Sequence, residues 1–253
     1  MKLNKIEHTF SSMKSETSDE HVLVISGAIG EGGYFYEGTS ATDVRKALEN
    51  VKAKTIRIKL NSPGGNAFDG LEIYNYLKDL DAHVIVEVTA LAASAASIIA
   101  MGADEVIMRT GSTMMIHNAS TITYGNKDEM LKVHECLSKI DTSIIDVYKE
   151  KTGLSTDEIK EMLNNETWFT ASEAFEKGFA DSYETQTKEE KEITSYLNSN
   201  YSISQKIDVE NEIKEIKNQI SELQNQNNKN QNNKNQEVKD KSVNDNRLKS
   251  LLF

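Results

Sequence analysis

Short apolar runs rich in β-branched residues recur along the first three quarters of the chain, with helical spacing between them. Strand patterns stand at residues 21–26, 55–60, 83–88, 105–108 and 114–117, each bounded by polar or turn-forming residues. Between the first two, Ser40 stands as an N-cap before a helix whose apolar face is Val44, Ala47, Leu48 and Val51. A second helix over residues 68–80 presents Leu71, Tyr74 and Leu77. Strand alternating with helix predicts an α/β fold, a mostly parallel sheet with right-handed crossovers.

The later part reads as more helical. Asn126 to Glu129 has capping-box spacing and opens a long amphipathic stretch through Met130, Val133, Leu137, Ile140, Ile144 and Val147, which Gly153 ends. Capping signatures at Ser155 and Thr170 introduce two shorter helices, the second closing at Gly178. Three segments follow: a polar N-terminal stretch at 1–20, one domain at 21–184, and a tail at 185–253. In the tail, Val209, Ile213, Ile216, Ile220 and Leu223 alternate four and three apart, as in a coiled coil. Residues 224–236 are a low-complexity Asn/Gln/Lys run, and 247–253 form a small apolar end suited to docking.

Composition narrows the function classes. Apolar residues make up 38% of the chain, enough for a core because they concentrate before the tail. A formal charge of −11 gives no basic field to gather phosphates, which argues against nucleic acid and anionic membrane as partners. A single cysteine, Cys136, excludes an internal disulfide and a cysteine-based zinc site, as expected of a reducing cytoplasm. The longest apolar stretch, 90–101, is too short to span a bilayer, and residues 1–20 have no apolar signal region. The expectation is a soluble cytoplasmic protein without cofactor or metal.

Three local features carry candidate chemistry. Asn61-Ser62-Pro63-Gly64-Gly65 is a strand-to-helix turn whose backbone N–H groups can meet an anion; alone, it reads equally as an ordinary tight turn. Ser94 lies among alanines at a helix start, where the N–H of Ala95 can face a developing oxyanion; alone, it reads as a cap in a close-packed helix. His117 ends an apolar strand, a place more often filled by a structural histidine. Jointly they supply a nucleophile, a base and oxyanion donors at strand ends of one α/β unit, the minimum for a hydrolytic serine.

These motifs, with Glu166-Thr167-Trp168-Phe169-Thr170-Ala171-Ser172-Glu173-Ala174, Gly178 and Asp181, resemble the Clp peptidase proteolytic subunits in order and spacing over residues 22–181. Within that family they resemble the shorter head maturation proteases of bacteriophages and prophages. The resemblance implies a crotonase-like core of repeated ββα units, with a projecting handle helix at 127–151 that pairs two homo-oligomeric rings. It implies Ser94 as nucleophile, His117 as general base and acid, and the N–H groups of Gly65 and Ala95 as oxyanion hole. The third triad position, usually aspartate, falls on Glu166; Asp128 and Asp141 are the other candidates for orienting the histidine. Implied partners are peptide or protein substrates, capsid or scaffold proteins among them. Residues before 21 do not resemble the family's axial-pore segment, so an AAA+ unfoldase partner is not implied. The alternatives are a Clp subunit working with such an unfoldase and an inactive capsid-assembly scaffold.

Overall fold

The computed structural model describes residues 6–14, 19–33 and 37–184. The chain divides into two units, Met1–Ser199 and Asn200–Phe253, and every described residue belongs to the first. The expected coiled coil at 209–223, the low-complexity run and the apolar end at 247–253 lie outside the described residues.

In chain order the elements are β1 (Thr9–Lys14), β2 (Glu20–Ser26), β3 (Ala28–Ile29), β4 (Gly38–Thr39), α1 (Ala41–Leu48), β5 (Thr55–Ser62), α2 (Ala67–Lys78), β6 (His83–Ala93), α3 (Ala95–Met101), β7 (Glu105–Met108), β8 (Thr113–Ile116), α4 (Lys127–Thr152), α5 (Thr156–Asn164), β9 (Thr167–Thr170), α6 (Ala171–Glu176) and β10 (Ser182–Tyr183). The main sheet runs β1-β2-β5-β6-β7-β10, and β8 branches from β6 to pair with β9. Strands β2, β5, β6, β7 and β10 are parallel neighbours, as the alternation of strand and helix predicts. Two pairs, β1 with β2 and β8 with β9, are antiparallel.

Two elements depart from the sequence reading. Thr9–Lys14 is a strand, although residues 1–20 read as a polar segment. It pairs only with β2, and an edge strand with polar side chains has little apolar pattern to reveal it. The strand expected to end at Val88 runs on to Ala93. Up to Val88 it pairs with β7; beyond, it changes partner and pairs Leu91 with Thr113 and Ala93 with Met115 on β8. Residues 89–93 are small and have no strand-like pattern of their own, so their extension comes from this tertiary pairing.

The core lies between the sheet and its helices. Leu23, Ile25, Ile58, Leu60, Val86 and Val88 are fully buried strand residues. In α3 every residue from Ala95 to Met101 is buried, so this short helix runs through the interior directly behind the end of β6. The capping boxes expected at Asn126, Ser155 and Thr170 are all formed, and Gly153 ends α4 in the left-handed conformation at φ 69°. No residue of α4 before Ile144 is buried, so its first turns project from the domain, as expected of a handle. Among the described residues no helix is long and apolar enough to cross a membrane.

Candidate active site

Ser94 sits between the last residue of β6 and the first of α3, with φ 54° and ψ −124°. That region is unfavourable for a residue with a Cβ and costs about 1–3 kcal/mol. Four hydrogen bonds hold it there. The Ser94 N–H donates to the Met115 carbonyl at 2.9 Å, and the Ser94 carbonyl accepts from the N–H groups of Ser97 and Ile98 at 2.9 and 3.3 Å. The buried Ser97 hydroxyl donates to the same carbonyl at 2.6 Å and meets the Tyr148 hydroxyl at 2.8 Å. The outcome is a sharp turn that presents the Ser94 side chain, half-buried, at the end of the sheet.

The Met115 carbonyl belongs to β8, and β8 leads directly to His117. His117 Nε2 lies 2.8 Å from Ser94 Oγ. For Nε2 to accept the serine proton, the ring proton must sit on Nδ1. The strand pairing that stretches β6 to Ala93 therefore also sets this contact, because Ala93 and Met115 are register partners.

The Gly-Gly turn stands alongside. Gly64 has φ 88°, and a Cβ there would lie 2.7 Å from that of Ser94, so only glycine lets the turn close onto the serine. Gly65, at φ 154°, lies so close to β3 that a Cβ would collide with the Ile29 carbonyl. The turn is pinned by Gly64 N–H to the Ser62 hydroxyl at 3.0 Å, Ile29 N–H to the Gly64 carbonyl at 3.0 Å, and Asn66 N–H to the Ile29 carbonyl at 2.9 Å. Neither the Gly65 nor the Ala95 N–H has a hydrogen-bond acceptor among the described residues. Both line, with Ser94 and His117, one cleft of about 440 Å³ whose far wall is the Val133, Leu137 face of α4. Two free donors beside a serine hydroxyl are what an oxyanion hole requires.

Glu166 is the residue the structure leaves apart. It is exposed, has φ 48°, and its carboxylate accepts the Trp168 indole N–H at 3.3 Å; no hydrogen bond or ion pair joins it to His117. The backbone nevertheless brings the two together. Ile116 and Thr167 form the last rung of the β8–β9 ladder, and His117 and Glu166 each stand one residue beyond it. The Leu163 carbonyl accepts both Asn118 N–H and Glu166 N–H, each at 3.3 Å. Of the other carboxylates, Asp141 accepts the Ala119 N–H at 2.7 Å, two residues past His117, and Asp128 lies in the exposed first turn of α4. The sequence offered Asp141 only as an alternative partner for the histidine, whereas its bond goes to the Ala119 N–H. It gave no sign of Tyr148 as a support of the site, since Tyr148 acts across a long separation and forms no local motif.

No group of three or more His, Cys, Asp or Glu side chains is placed to hold a metal ion among the described residues. With the geometry in view, comparison with known proteins is specific. The chain is 35% identical over 127 residues to the ATP-dependent Clp protease proteolytic subunit 1 of Chlamydia muridarum, which covers 48% of this chain and 66% of that protein. It is also 35% identical over 151 residues to the protein of that name from Chlamydia abortus, covering 56% and 78%. In fold it resembles a ClpP1 mutant from Listeria monocytogenes, with a TM-score of 0.52, 24% identity, and coverage of 59% of this chain and 85% of that one. The model of the Clp protease family matches residues 42–187, more than half of the chain and all of the site but the β2–β3 support, and on that match the chain belongs to the Clp protease family.

Proposed function

We propose that the chain is a serine endopeptidase that cleaves peptide bonds through an acyl-enzyme on Ser94. The observation that carries this reading is the 2.8 Å contact between His117 Nε2 and a serine hydroxyl held at a strained strand-to-helix turn. Ser94 Oγ attacks the scissile carbonyl while His117 takes its proton. The tetrahedral oxyanion is met by the N–H groups of Gly65 and Ala95. Collapse breaks the C–N bond as His117 returns the proton to the leaving amine, and a water activated by the same imidazole releases the acid. Glu166 is the carboxylate we assign to His117 Nδ1. Its place beside the final β8–β9 rung supports this; the contact requires its side chain to turn away from Trp168.

The names of the relatives support a proteolytic subunit of an ATP-dependent Clp protease; a homo-oligomeric ring in the cytoplasm, fed by an unfoldase, is the assembly we infer for it from the family resemblance. Processing of capsid or scaffold proteins as a prophage head maturation protease is the more specialised reading and rests on the motif resemblance. Hydrolysis of a folded protein, measured with and without a Clp ATPase and ATP, separates the two. Peptide hydrolysis by the chain itself tests the chemistry: Ser94→Ala and His117→Ala abolish it while the fold is retained. Undiminished turnover in Ser94→Ala overturns the assignment, and an inert parent chain leaves the scaffold reading.

A further inference from the structure

The Ser94 carbonyl and the Ala95 N–H are the two ends of one peptide unit. That unit is planar, so whatever fixes the direction of the carbonyl fixes the N–H on the opposite side. The carbonyl accepts three hydrogen bonds, from Ser97 N–H, Ile98 N–H and the Ser97 hydroxyl, the last being the shortest at 2.6 Å. Two of these are ordinary first-turn helix bonds. The hydroxyl bond is an addition, and it has a support of its own.

Ser97 has one hydroxyl proton. If it goes to the Ser94 carbonyl, the Tyr148 phenol must be the donor in the 2.8 Å contact with Ser97 Oγ. The result is a directed chain, Tyr148 O–H to Ser97 O–H to Ser94 C=O. Both side chains are out of solvent, Ser97 at 0% and Tyr148 at 1% exposure, so no water competes for either hydroxyl. Burial also pushes the Tyr148 phenol well above its ordinary range, which keeps it a donor. The ring is set by an edge contact with Phe179 at a centroid distance of 5.5 Å. Tyr148 belongs to α4, whose preceding turns form the far wall of the cleft.

We propose that the buried Tyr148–Ser97 pair is a positioning latch that orients the Ser94–Ala95 peptide, aiming the Ala95 N–H at the oxyanion and linking α4 to the nucleophile. This rests on the serine-peptidase reading above. A carbonyl that accepts a chain of hydrogen bonds also polarises its own peptide, which makes the N–H at the other end a better donor. Donors to a developing oxyanion act on the transition state and hardly on the bound substrate. Loss of the latch therefore falls on kcat and leaves KM where it was. A merely structural role would show in the melting temperature alone.

Tyr148→Phe removes one hydroxyl from the chain, and Ser97→Ala removes the hydroxyl that touches the carbonyl. Each is expected to lower kcat, and the rate of fluorophosphonate labelling, five- to tenfold at unchanged KM. Because the two hydroxyls act in series, the double variant is no slower than Ser97→Ala. Wild-type kcat in a folded Ser97→Ala overturns the proposal, as do losses that multiply in the double variant or a change confined to KM. Should Tyr148→Phe fail to fold, Ser97→Ala decides alone, and Ser97→Thr, which keeps the hydroxyl, is expected to regain most of the rate. A parent chain that neither labels nor hydrolyses removes the serine-peptidase reading itself, and the latch with it; a labelled parent with unaffected variants removes only the latch.

Discussion

Among the described residues only two that are not glycine have positive φ, and they are Ser94 and Glu166. Strain of this kind persists only where the surroundings over-determine it, and it concentrates at functional sites. For Ser94 the restraints are visible: four hydrogen bonds and a glycine turn that leaves no room for a Cβ. For Glu166 they are the Leu163 carbonyl and the adjacent β9 strand. Glu166→Gln keeps the shape and removes the charge. The triad assignment then predicts a fall in kcat of about 100-fold or more, from loss of imidazole orientation and of charge stabilisation. A rate within twofold of the parent, measured on a peptide substrate, transfers the orienting role to Asp141 or Asp128. Ser94, His117, Gly65 and Ala95 were legible in the sequence because each sits in a local motif at the end of a strand or turn. Tyr148 was not, because it meets Ser97 across 51 residues and its partner is one small hydroxyl in a run of alanines.

At the scale of elements, the parallel strands, the capped helices and the long amphipathic α4 followed from periodicity and cap residues, while its projection was implied by the family resemblance alone. What periodicity could not show was pairing. The extension of β6 to Ala93 and the strand β9 at Thr167–Thr170 exist because β8 lies between them, and β8 is four residues long. That short strand nevertheless sets both the Ser94 N–H contact and the start of His117. α4 is braced against α2 by Glu150, which accepts from Lys78 Nζ at 2.7 Å and from the Tyr74 hydroxyl at 2.8 Å. The Lys78 bond first, and then the Tyr74 bond, hold the Glu150 carboxyl below its ordinary value of 4.5. A depressed carboxylate contributes stability that is fully present above its unfolded value and lost as pH falls through the folded one. The melting temperature of the parent should therefore fall as pH drops below about 4.5, and Glu150→Gln should lose part of that dependence while melting lower at pH 7. An identical pH profile in the variant would show that the brace contributes nothing; because both partners are substantially exposed, the effect is expected to be small.

At the scale of the whole molecule, the described domain leaves four of its exposed large apolar side chains around the start of α4. Ile122 and Tyr124 are almost wholly exposed, and Met130 and Leu131 are 40% and 61% exposed on a helix that stands clear of the core. Such a patch is suited to a second copy of the chain, and the ring assembly proposed above would cover it. Light scattering should give a mass several times the 28.3 kDa of one chain, with Leu131→Asp reducing it; a monomeric parent would contradict ring assembly. The central claim, however, concerns one oxygen atom. Its most direct test is to treat the full chain with a fluorophosphonate and locate the adduct by mass spectrometry of its peptides. The account predicts a single adduct on Ser94 that disappears in Ser94→Ala and slows sharply in His117→Ala. An adduct on another serine, or labelling that persists in Ser94→Ala, would contradict it.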